Sequence, residues 1–152
     1  MNLFNNTLAV CMIAFTAGVN ATSLESVNAQ DNGVFRAMEE LQVNNIKPRN
    51  GSVEQDVNAD ILFLDSGMIK ADELTKDMLS KYNAMVIIGD KSHNKTLMIN
   101  IFGFGIERDV IVISNIHDLK TREVNTYNVG VDTADITVAT VLSNVIIKYI
   151  AK

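Results

Sequence analysis

The sequence predicts an α/β domain: a three-layer α/β/α sandwich around a mainly parallel sheet of four to five strands. Three observations predict it. Short apolar runs at Val10–Phe15, Ala59–Leu64, Ala84–Ile88 and Val110–Ile113 have the length of strands buried on both faces. Amphipathic segments at Gly33–Val43, Asp72–Tyr82 and Ser92–Phe102 alternate with them. From Asp72 to Asp118 the order is helix, strand, helix, strand, polar loop, which is the pattern of a parallel βαβ unit.

The first run lies within Thr7–Val19, and two readings fit it. One is a buried strand, Val10–Phe15, turning at Ala17-Gly18. The other is a signal peptide, Met1–Ala21, ending at the small residues Val19-Asn20-Ala21, although Met1–Asn6 holds no Lys or Arg. The strand reading places the chain in the cytoplasm and the leader reading exports it. Sequencing the mature N-terminus separates the two.

Thr22–Asn32 is polar and small, so it reads as a loop. In the helix that follows, Val34, Phe35, Met38 and Leu41 share one face, and Asp31 or Asn32 can cap it. Pro48 makes Asn44–Gly51 a turn, and Ser52–Asn58 is polar. The helix at Asp72–Tyr82 buries Leu74, Met78 and Leu79. Ala84–Ile88 carries β-branched Val86, Ile87 and Ile88, and Gly89-Asp90 breaks it. Ser92 is suited to cap the next helix, and Gly103 and Gly105 end it. His117–Asn128 reads as a polar loop with a short extended piece near Val124–Tyr127. Asp132 would cap a last helix at Thr133–Ile150. No repeat, low-complexity tract or linker interrupts 1–152, so one domain is expected.

Composition narrows the function. Of 152 residues, 47% are hydrophobic and 20% charged, a globular balance rather than a disordered one. The net charge is −5 and no Lys/Arg cluster exists, which argues against nucleic acid as a partner. No apolar run reaches the roughly 18–20 residues of a transmembrane helix. Cys11 is the single cysteine, so no internal disulfide can form; within an apolar run it reads as a buried, inert thiol.

In a parallel sheet the strand ends after Asp65-Ser66, at Asp90–His93 and at Ser114–Asp118 would gather on one edge, where ligands of such folds bind. Asp90, Ser92 and His93 are therefore the candidate ligand-binding residues. Helix N-termini also recruit Asp and Ser simply for capping, and that simpler reading applies to these three. The only two histidines, His93 and His117, show no metal-ligand spacing, so neither metal nor cofactor is indicated. A triad can be assembled on paper from Ser92, His117 and Asp118, but nothing resembles a nucleophile elbow.

The order of motifs resembles the low-molecular-weight protein tyrosine phosphatases and related arsenate reductases. Four pieces carry the likeness: Thr16-Ala17-Gly18-Val19; Phe35-Arg36-Ala37-Met38-Glu39-Glu40-Leu41; Glu73–Leu79 with Asn83–Ile88 and Asp90-Lys91-Ser92-His93; and Ile116-His117-Asp118-Leu119 before the last helix. Together they span about residues 10–150. The resemblance implies that Asp118 stands where the family has its general acid, with Leu119 in place of the usual proline. Chemistry in that family needs a Cys-x5-Arg loop, in which a thiolate attacks phosphorus and the arginine and loop amides hold its oxygens. Here the sixth residue after Cys11 is Ala17.

The expectation is therefore a non-catalytic, phosphatase-like domain that binds a protein or small ligand, with Asp118 vestigial. Two alternatives stay open: a truncated or split phosphatase, and an exported binding protein with a cleaved leader. Loss of the family's first strand would expose a sheet edge and invite a homo-oligomer, unless Ala59–Leu64 fills the gap.

Overall fold

A computed structural model describes residues 10–17, 20–27, 29, 31–45 and 59–150. The expected turn at Asn44–Gly51 and the polar stretch Ser52–Asn58 lie outside them, save for Asn44 and Asn45, which belong to a helix. So does the start of the chain through Ala9.

Six strands form one sheet in sequential order: β1 (Val10–Ala17), β2 (Asn20–Val27), β3 (Ala59–Asp65), β4 (Ala84–Ile88), β5 (Val110–Ser114) and β6 (Glu123–Tyr127). Helix α1 (Gly33–Asn45) follows β2, the four-residue α2 (Lys76–Leu79) follows β3, α3 (Lys91–Phe102) follows β4, and α4 (Asp135–Ile150) follows β6. The sheet is mixed rather than mainly parallel. β2, β3 and β4 run parallel, whereas β1 is antiparallel to β2, β5 to β4, and β6 to β5.

The side-chain alternation of the strands divides the core in two. Ile61, Phe63, Val86, Ile88, Val110 and Val112 join Phe35 and Met38 of α1 and Val138, Leu142 and Ile146 of α4. Leu62, Leu64, Met85, Ile87, Ile111 and Ile113 join Leu97 and Met98 of α3, with Ile69, Tyr82 and Ile116. Phe35 and Phe63 meet with ring centroids 5.3 Å apart, within the range of favourable aromatic pairs. Met38, Met85 and Met98 are fully buried, whereas Met68 is half exposed.

The reversal of β5 has a local cause. Gly103 closes α3 in the left-handed conformation at φ 79°, its N–H donating to Ile99 O at 2.9 Å. The chain then doubles back along the same helix. Gly105 lies against Ile99 and Lys95, Glu107 pairs with Lys95 at 3.2 Å, and Asn94 Nδ2 donates to the carbonyls of Arg108 and Asp109 at 2.8 and 2.9 Å. A helix of 12 residues is about 18 Å long. The extended return over 103–109 covers a similar distance. It brings the chain back to the sheet edge where β4 ended, so β5 can only start there and run the opposite way. The expected parallel βαβ unit is replaced by β4–α3–return–β5.

Two further expectations change. Thr22–Val27, expected in a loop, belongs to a strand: β2 is laddered to β1 on one side and β3 on the other, and those pairings outweigh its polar composition. Asp72–Tyr82 is not one helix but a 3-10 turn at Ala71–Glu73 followed by α2, because Thr75 caps a new start by accepting from Met78 N at 3.2 Å. β3 lies between β2 and β4, inside the sheet. Among the described residues no helix is long and apolar enough to cross a membrane.

Candidate functional site

Because β5 is reversed, the strand ends that were expected together fall at opposite edges. The C-terminal ends of β2, β3, β4 and β6 share one edge with the starts of α1, α3 and α4. Asp65, Ser66 and Asp90–His93 are at this edge. The loop of residues 115–122 is at the other, about 16 Å away by the length of a five-residue strand. Asp118 therefore cannot serve a group held beside Asp90, Ser92 and His93, and no triad forms from Ser92, His117 and Asp118.

At the far edge several polar side chains of the loop help to shape it. Asn115 takes a left-handed φ of 51°, a conformation asparagine tolerates, and its Nδ2 donates to Thr121 O at 3.0 Å. His117 Nε2 is 2.7 Å from Tyr82 O; a carbonyl only accepts, so this nitrogen carries the proton. Arg122 donates to Ile116 O and stacks 4.8 Å above the Phe102 ring. Asp118 accepts from Lys120 N at 2.9 Å and from Thr121 Oγ1 at 3.0 Å. Chiefly the Lys120 N–H, then the Thr121 hydroxyl, hold its carboxyl below the usual carboxylate range. A general acid must carry a proton at working pH, and these hydrogen bonds favour the ionised form instead.

At the near edge Asp90, not Ser92, is the N-cap of α3. Its side chain accepts from the backbone N–H of Ser92 and of His93 and from the Ser92 hydroxyl. The Ser92 hydroxyl first, then those N–H groups, lower the Asp90 carboxyl below its ordinary value. Ser92 and His93 are exposed on the first turn. The strand ends two residues before Asp90, which gives the earlier of two cap-forming residues the position.

Both depressed carboxyls give the same pH dependence. A group whose folded pKa lies below its unfolded value stabilises the fold above the unfolded value, near 3.8. That contribution is lost as pH falls through the folded pKa. NMR titration is expected to show Asp90 and Asp118 protonating below pH 3.8, and Asp90→Asn should flatten part of the acid limb of stability. Titration of either group above 3.8 would contradict the capping geometry.

Beside α3 the same edge holds a crevice of about 270 Å³. Val34, Ile88, Val129 and Val138 form its apolar wall; Asn32, Gly33, Gly89, Asp109 and Asp135 supply its polar lining. Asn32 caps α1 through Oδ1, accepting from Val34 N at 3.0 Å and Phe35 N at 3.1 Å, and its Nδ2 donates to Asp65 Oδ2 at 2.6 Å. Asp65 in turn accepts from Gly67 N at 2.8 Å. Asp109 accepts from Val129 N at 2.9 Å and has Lys91 Nζ at 3.7 Å. These bonds tie the ends of β3, β6 and the start of β5 to the starts of α1 and α3. Among the described residues no group of three His, Cys, Asp or Glu is placed to hold a metal.

Asp135, the first residue of α4, approaches α1 so closely that a Cβ on Gly33 would lie 1.9 Å from its Oδ2. Gly33→Ala is expected to push Asp135 aside at a cost of about 1 kcal/mol or less, since only the tip of an exposed side chain must move. In an Asp135→Ala background the same change should be neutral or stabilising, because alanine is the better helix former. A denaturation double-mutant cycle checks this; equal effects in both backgrounds would refute the contact.

Asn32 stood out in the sequence only as a possible cap, and Asp109 and Asp135 not at all. Their signal is position: each is a carboxylate or amide at the junction of a strand or helix on the edge that carries the helix starts. Compared with known protein families, curated proteins and solved structures, the chain matches none. What fold and site define is a class: an α/β domain with a mixed sheet and a crevice beside the shared helix starts.

Proposed function

We propose that this chain is a binding domain rather than a catalyst, and that it takes a small ligand in the crevice between the starts of α1 and α4. The observation that carries the reading is the combination of an apolar wall with a few polar groups in a crevice beside the end of β4 and the starts of α1 and α4. Its volume of about 270 Å³ suits a molecule of modest size, near the lower end of small-ligand pockets.

On the phosphatase resemblance the domain would be a pseudoenzyme. Cys11 lies within β1, in register with Ser26, and the chain stays extended to Ala17. Amides committed to a strand ladder do not form a ring around a phosphoryl group. The acid that the resemblance supplies, Asp118, has its carboxyl shifted below the usual range and lies at the opposite edge.

Two measurements test the proposal. The protein should not hydrolyse para-nitrophenyl phosphate, and Cys11→Ser should change nothing; turnover lost in Cys11→Ser would overturn the non-catalytic reading. In NMR titrations with a library of small amines, sugars and carboxylates, shifts should cluster at Asn32–Val34, Gly89, Asp109, Val129 and Asp135. Asp135→Asn should weaken the binding of an amine. Shifts that cluster instead around residues 115–122 would move the site elsewhere.

A further inference from the structure

We draw no further inference here: the strongest candidate, the apolar groove between β6 and the first half of α4 lined by Tyr127, Val129, Val138 and Val141, has nothing in the structure to show what covers it.

Discussion

Gly89→Ala is expected to destabilise the domain by roughly 2–6 kcal/mol, from two contributions of about 1–3 kcal/mol each. The first is conformational. Gly89 has φ 143°, where a side chain is strained whatever space surrounds it. The second is steric. An added Cβ would fall 2.3 Å from Ser66 Oγ and 3.5 Å from Asn94 Oδ1. Ser66 has little freedom to retreat: it is buried, and its N–H is bonded to Ile88 O at 2.9 Å. Ser66→Gly in the Gly89→Ala background should recover the steric part and leave the conformational part. Urea denaturation of the two single variants and the double variant measures both. Full recovery would mean that φ contributes nothing, and no recovery would mean that Ser66 is not the obstacle.

Asn94→Leu is expected to cost roughly 3 kcal/mol, since a buried carbonyl deprived of its donor costs about 1–3 kcal/mol. Asn94 is fully buried, and its Nδ2 reaches the carbonyls of Gly89, Arg108 and Asp109 at 3.2, 2.8 and 2.9 Å. The Asp109 carbonyl keeps a second donor, Gly89 N at 3.1 Å, so the loss falls mainly on the other two. The variant should also loosen the return segment. Amide exchange over residues 103–109 is expected to accelerate more than exchange in β4. Asn94→Asp separates packing from hydrogen bonding. A carboxylate facing carbonyl oxygens is repelled, so its folded pKa is raised above the unfolded value near 3.9. The folded state then holds the proton more tightly. The deficit relative to wild type should be smallest below about pH 4 and complete once pH exceeds the folded pKa. A deficit that does not change with pH would show that the amide is not the clamp.

These two residues also mark the limit of what the sequence discloses. Ala84–Ile88 and Val110–Ile113 declare themselves as buried strands because nearly every residue is apolar. Direction is another matter. Whether β5 runs with or against β4 depends on the path of residues 103–109, and that path is set by tertiary bonds from Asn94 and Lys95, which have no periodic signature. The misread direction then misplaced Asp118, and with it the only acid that the phosphatase resemblance offered. β2 was hidden for a different reason. Thr22, Ser23, Glu25 and Ser26 look like loop residues, and only the strands on either side make them a strand. Capping was easier to read: Asn32 and Asp90 are both side chains that accept N–H bonds at a helix start. Choosing Asp90 over Ser92 required knowing that α3 begins at Lys91. The crevice itself was not legible, because Asp109 and Asp135 are 26 positions apart and meet only when β6 returns the chain to the same edge.

The common starting edge of α1, α3 and α4 gives the molecule an electrical polarity. Three backbone dipoles point the same way, so their positive ends add rather than cancel. Asp65, Asp90, Asp109 and Asp135 sit at that end, while Arg122 lies against Phe102, the last residue of α3, at the other. Side-chain charge thus opposes the backbone field at the starting edge, while at the other edge Arg122 shares its loop with the oppositely charged Asp118. Acid therefore reaches both poles at once: it removes the cap charge of Asp90 at the crevice end and loosens the loop that Asp118 holds at the other.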